Sequence, residues 1–333
     1  MDVANRLDER QRRRPWLALP LAVLYKMLDD QATSQAAMVT YYGFVSLFPL
    51  LLLLVTCLGF ALTGNPALQQ HVVHSALRDF PVIGDQLAEN VHSLHGSTAG
   101  LVVGIAGSLY GALGIALAVQ NVMNKIWAVP RAERPSLLGA YGRGLALLGV
   151  LAVGVALTTS LAALSSAAES LGGNQIVDIV LRLAATALSL AVNAGLLLSV
   201  YRILTAQAPP IRTLWPGALT AAVLWQLLQA GGTYLVGHHL RGMSATYGLF
   251  GIVLGLIAWI YLGALILIAG AEINMVYRRQ LYPRSLLAPD PGNTALTPAD
   301  ERAYTGYVHT ERQKNYQRVT NEFQVPEGGQ RTI

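Results

Sequence analysis

The chain has 333 residues, 53% of them hydrophobic and only 12% charged, where a soluble domain carries about a quarter charged residues. A net charge of +5 would suit a nucleic-acid binder, but the basic residues are distributed as topology signals, so no nucleic-acid partner is expected. The single cysteine, Cys57, excludes an intrachain disulfide and cysteine-rich zinc sites.

Residues 1–16 contain Arg6, Arg10, Arg12, Arg13 and Arg14 and read as a basic cytoplasmic tail, because the apolar run that follows is too broken for a cleavable signal peptide. In 17–30, Leu17, Leu21, Leu24 and Leu28 share one helical face, with Trp16 and Lys26 at interfacial positions. An amphipathic helix lying along the inner leaflet is expected. A transmembrane domain over 31–282 follows. Its first span centres on Thr40 to Gly59, which has no charge and five leucines and a valine after Pro49. Extended to 36–62 it makes ~40 Å of helix against a hydrocarbon core of about 30 Å. Pro49 cannot donate a backbone N–H to Val45, so a bend is expected there, with Ser46 placed to compensate.

Residues 63–97 form a long extracytoplasmic connection. Asn65-Pro66 is a helix start, and Val73, Leu77 and Phe80, then Ile83, Leu87, Val91 and Leu94, recur at helical spacing. Two short amphipathic helices on the outer surface are expected. Five further spans fall at 99–119, 141–165, 176–201, 214–236 and 247–276. With both termini inside, the inner segments hold 20 of the 23 Lys and Arg residues, the outer ones hold Arg78 and Arg241, and Arg182 lies within a span. That asymmetry sets an N-in, C-in orientation. The fold class is therefore all-α: a six-span polytopic membrane protein with amphipathic helices on both faces. The segment 283–333 is polar, mixed in charge and without apolar periodicity, and is expected to be a disordered cytoplasmic tail.

Two stripes stand out. In the second span Gly100, Gly104, Gly107, Gly111 and Gly114 share a face that Ala118 and Asn121 continue, either to admit another helix closely or to make a smooth wall for a lipid chain or sliding helix. In the fourth span Asp178, Arg182, Thr186, Ser189 and Asn193 share a face. Gln226, Gln229 and Thr233 on the fifth span, with Thr158 and Ser165 on the third, are at matching depth. An arginine in the bilayer costs about 2.5–3.5 kcal/mol on insertion scales and should meet a partner or water, with Asp178 one turn away. These groups either line an outward-facing polar cavity or hold helices together. Of the histidines, His71, His74, His92, His95, His238 and His239 fall outside; the pairs at three-residue spacing form no metal motif, and no metal or cofactor is expected. Glu272, at the inner end of the last span, reads as an interfacial carboxylate served by Arg278, Arg279 or Asn274, or as a gating or proton-coupling group.

The first-span residues Tyr41, Tyr42, Ser46 and Pro49, in the string Ser46-Leu47-Phe48-Pro49-Leu50-Leu51, and the closing string Gly270-Ala271-Glu272-Ile273-Asn274 resemble the YihY/BrkB family of bacterial inner-membrane proteins. The resemblance covers roughly 17–277. It implies a six-helix inner-membrane protein, with members linked to virulence and serum resistance and, in relatives, to export of lipid or glycolipid. Members have also carried the label ribonuclease BN. The resemblance supplies no catalytic residues, so these positions carry over as motif positions only. Three functions compete. The first is a transporter or flippase of a lipid or glycolipid working through the polar cavity. The second is a non-catalytic scaffold or assembly factor. The third is a ribonuclease, disfavoured because the inner face shows no metal-binding cluster of carboxylates or histidines. No Gly-x-x-x-x-Gly-Lys-Ser/Thr loop is present to hydrolyse ATP.

Overall fold

The structure, a computed structural model, describes residues 8–9, 11–61, 98–169, 175–207, 209–239, 245–286 and 296–323. Among them the regular elements are all helical: α1 (Pro15–Asp29), α2 (Ala32–Ala61), α3 (Thr98–Ile126), a 3-10 turn (Arg131–Glu133), α4 (Leu137–Glu169), α5 (Gln175–Leu204), α6 (Ile211–His239), α7 (Ala245–Arg279) and α8 (Pro298–Thr310). Helices α2 to α7 run for 29 to 35 residues, enough to cross a bilayer at ~1.5 Å per residue. Each starts within about one turn of an expected span. Over the described residues four stretches qualify as membrane crossings by length and apolarity: Leu101–Ile126, Leu137–Gly154, Leu183–Leu204 and Val253–Arg279. Helices α2 and α6 lie where the first and fifth spans are expected. Only 6% of the Leu183–Leu204 window is buried, which suits a helix solvated by lipid. The expected outer helices within 63–97, with their four histidines, lie outside the described residues.

The chain packs as two units. In the first (1–36, 119–232, 262–333), Ala18 and Ala22 of α1, Val122, Met123 and Ile126 of α3, Leu214 and Ala221 of α6, and Ile268, Ala271 and Val276 of α7 are buried. Leu17, Leu24 and Leu28 of α1 are exposed. These leucines thus point away from the protein, and the alanine face packs. In the second unit (37–118, 233–261), α2 and α3 run antiparallel in close contact. A Cβ on Gly107 would stand 2.8 Å from Pro49 Cβ, one on Gly111 2.8 Å from Ser46 Cα, and one on Gly114 2.7 Å from the Tyr42 ring. The glycine stripe therefore receives the motif residues Tyr42, Ser46 and Pro49. Asn121 is exposed and does not continue the stripe, whereas Ala118 is buried. The Ser46 hydroxyl donates to the Gly43 carbonyl at 2.8 Å, so its acceptor is not the expected Val45 carbonyl.

Three helix ends turn through the left-handed region at non-glycine residues, Gln31, Ala128 and Gln280. At Ala128 the amide of Val129 donates to the Asn124 carbonyl and that of Ala128 to the Lys125 carbonyl, a Schellman closure.

Within the segment 283–333 that is expected to be disordered, Pro298–Thr310 instead form a helix. Helix α8 begins at a capping box in which the Thr297 side chain accepts from the Asp300 amide and the Asp300 side chain from the Thr297 amide, with Pro298 at the first turn. Apolar periodicity does not reveal it, because polar bonds to α1 and the end of α7, rather than an apolar face, hold it in place.

Candidate functional site

Lys26 lies on the alanine face of α1, one turn beyond Ala22, and packing carries it inward. It is 2% exposed and forms an ion pair with Asp30, one turn further along. Its ammonium is also 3.6 Å from Glu272 Oε2 on α7, and Asp30 and Glu272 are buried. Lys26 is therefore no interfacial anchor, and the partner of Glu272 is Lys26 rather than Arg278, Arg279 or Asn274. Burial pulls the Lys26 ammonium toward losing its proton, but the charges of Glu272 and Asp30 outweigh it and hold its pKa above the ordinary range. Neither Glu272 oxygen, nor Asp30 Oδ1, has a hydrogen-bond partner among the described residues. The Tyr307 ring of α8 covers the ammonium, 5.0 Å from its centroid. Lys125 at the end of α3 donates to the Asp30 carbonyl at 2.7 Å.

A second ionic group clamps α8 beside the first. Arg284 is 1% exposed and donates to Asp300 Oδ1 at 2.8 Å and to Asp29 Oδ2 at 2.7 Å. Tyr307 also donates to Asp29, at 3.1 Å. Asp300 Oδ2 accepts from the Ser285 and Thr297 amides and the Thr297 hydroxyl. Burial works against the Arg284 charge, but hydrogen bonds to Asp300 and Asp29 more than compensate and raise its pKa. Gln11 donates to the Arg284 carbonyl at 2.6 Å, and the Leu286 amide donates to Asp8. The adjacent acids Asp29 and Asp30 thus serve different cations.

Between the end of α7 and α8 lies a cavity of about 640 Å³ with Lys26 on its wall. Arg279, Arg302 and His309 bring further positive or protonatable groups, Glu301 is acidic, and Met275, Leu281 and Phe323 are apolar. Its chemistry suits a ligand with an anionic head and an apolar part.

The closing motif now has a physical reading. Pro216 cannot donate, and the next amide, Gly217, donates to Asn274 Oδ1 at 2.8 Å. A Cβ on Gly270 would stand 2.7 Å from the Gly217 carbonyl and 2.8 Å from Ala221 Cβ. Helices α6 and α7 therefore touch backbone to backbone beside Glu272. Tyr41 at the opening motif is exposed, its ring 5.4 Å from that of Tyr42.

Of the polar stripe, the structure brings Ser189, Asn193 and Gln226 together: Gln226 donates to Ser189 Oγ at 3.2 Å, and Asn193 stands 3.5 Å from it. Thr186 and Gln229 are exposed. The side chains of Asp178, Arg182 and Thr233, and of His238 and His239, lie outside the described residues. No group of three His, Cys, Asp or Glu side chains able to hold a metal occurs among the described residues.

The family model described as Virulence factor BrkB matches residues 23–294. The chain belongs to the BrkB family. The inner membrane protein YhjD of Escherichia coli K12 is 23% identical over 277 residues, 78% of this chain and 81% of that protein. A UPF0761 membrane protein of Pseudoalteromonas translucida is 26% identical, covering 75% of this chain and 82% of its own length. The ribonuclease-like protein YfkH of Bacillus subtilis is 26% identical, over 76% of this chain and 93% of its own. No solved structure matches. With these relatives and its apolar helices, this BrkB-family chain is a multi-pass protein of the bacterial inner membrane.

Proposed function

We propose that this BrkB-family protein is a non-catalytic transporter or flippase that moves an anionic amphipathic substrate, a lipid or glycolipid, across the inner membrane. The observation that carries this reading is the 640 Å³ cavity, where Arg279 and Arg302 adjoin Met275, Leu281 and Phe323. In this reading six helices cross the bilayer with both termini inside, as the basic-residue asymmetry favours. The cavity then opens at the inner leaflet, where head groups are available. Asp178, Arg182, Thr186, Ser189, Asn193, Gln226, Gln229 and Thr233 supply a second polar station in the outer half. Membrane lipids are the partners, with no nucleic acid involved. Thr305 lines the cavity yet is exposed, so a thiol placed there in a Cys57→Ala background reports occupancy. Anionic phospholipid slows its modification and zwitterionic phospholipid does not. Equal rates in both lipids would remove the cavity from the account.

The scaffold reading is favoured by one observation, the hydrogen bond from Gln226 of α6 to Ser189 of α5, which ties two helices together as glue does. Recovery of one stoichiometric membrane partner, with no lipid-dependent protection at Thr305, would make it the better reading.

A further inference from the structure

We propose that the carboxylates of Glu272 and Asp30 form a proton-binding site that holds one proton between them and exchanges it through the cavity beside Lys26. The proposal deepens the transport reading by naming protons as the coupling ion.

It starts from charge. Three ionisable side chains meet in a buried cluster: Lys26, Asp30 and Glu272, which are 2%, 1% and 0% exposed. With every group ionised, two negative charges face one ammonium. A buried net charge is costly, and gaining or losing a proton is how proteins relieve it. The hydrogen-bond pattern agrees. Lys26 bonds to Asp30 and approaches Glu272 only to 3.6 Å. Three carboxylate oxygens, both of Glu272 and Oδ1 of Asp30, have no donor among the described residues. One proton would neutralise the excess charge and provide a donor to this set.

The surrounding groups do not remove the imbalance. On α1, Asp29 is committed to Arg284 and Tyr307, and the Tyr25 hydroxyl donates to the Leu286 carbonyl. On α3, Lys125 is only part-buried, so solvent screens its charge, and it bonds to the Asp30 backbone carbonyl. On α8, Tyr307 presents its ring to Lys26, Asp300 is held by Arg284, and Tyr304 lies under the Arg284 guanidinium. A metal cation is a poor alternative, because the Lys26 ammonium already stands against both carboxylates. Lys26 also lines the cavity, which gives the proton a route. The step is a proton relay in which the Lys26 ammonium, on the cavity wall and against both carboxylates, passes H⁺ to a carboxylate and regains one from water in the cavity, the reverse sequence returning it.

Infrared spectroscopy of the purified full-length protein in an ester-free detergent tests this without any substrate. At neutral pH ordinary carboxyls are ionised, so a protonated-carboxyl carbonyl stretch must come from a perturbed site. Wild type is expected to show this band at neutral pH and to lose it on alkalinisation. Glu272→Gln and Asp30→Asn each abolish or shift it. Lys26→Met keeps both carboxyls but removes the counter-ion, and is expected to carry the band to higher pH. Absence of the band in wild type, or a band unmoved by all three substitutions, would overturn the proposal. Failure of transport with this band intact would count against the transport reading alone.

Discussion

The Lys26 ammonium stands 3.6 Å from Glu272 and is bonded to Asp30, joining the start of the chain to the end of its last long helix. Removing only the cation leaves two buried carboxylates without it. Lys26→Ala is therefore expected to destabilise the protein by about 3–5 kcal/mol. Lys26→Met with Glu272→Leu removes one charge of each sign and should recover part of that loss. Thermal unfolding in detergent compares them, and additive losses would mean the two residues do not interact.

Arg284 fastens α8. Arg284→Met leaves Asp300 and Asp29 without their guanidinium and should release the helix without unfolding the apolar spans. Limited proteolysis of inside-out vesicles is expected to cut the 296–323 region at least ten-fold faster in this variant, a change of about 1.4 kcal/mol in the opening equilibrium. Asp300→Asn weakens both the clamp and the capping box and should behave similarly. An unchanged cleavage rate would show that α8 is held by something else.

The α6–α7 and α2–α3 crossings depend on missing side chains. Gly217→Ala places a methyl group against the Gly270 carbonyl, and Gly111→Leu drives a side chain into Ser46. Each is expected to cost about 1–3 kcal/mol or to prevent accumulation of folded protein. Gly142 and Gly149, with open space where a Cβ would be, accept alanine without loss. Equal effects at all four positions, measured by detergent-resistant monodispersity, would contradict this packing.

The pH dependence has a definite sign. Lys26 has a raised pKa in the fold despite its burial, through Glu272 and Asp30. Tyr25, Tyr304 and Tyr307 are raised chiefly by burial. In each case the folded state holds the proton more tightly than the unfolded chain. This stabilisation is complete below the unfolded values, about 10 for tyrosine and lysine, and is lost as pH rises above them. The melting temperature is expected to fall above about pH 10, less steeply in Tyr307→Phe. A melting temperature that rises through that range would reverse the assignment.

How much of this was readable in advance depends on what each residue needs to be recognised. Long uncharged runs such as the one after Pro49 announce α2 and its neighbours, because only lipid solvates them. The glycine stripe of α3 states its own face. The Lys26–Glu272 pair is hidden, since each residue alone looks like an interfacial charge and only the folded chain brings them together. One signal did exist: Lys26 continues the small-residue face of Ala18 and Ala22 at helical spacing, with Asp30 the next step on. For α8 the signal was Thr297-Pro298-Ala299-Asp300, a capping box that an apolar-periodicity search passes over. In the polar stripe, Ser189, Asn193 and Gln226 do meet, because residues on facing helices at matching depth have few other partners within reach.

The most direct test of the transport account is movement of a fluorescent anionic phospholipid between the leaflets of proteoliposomes containing the wild-type protein. The account predicts protein-dependent movement that is retained in Cys57→Ala and lost in Arg279→Ala/Arg302→Ala. Movement no faster than in protein-free vesicles, across anionic phospholipids and glycolipids alike, would contradict it.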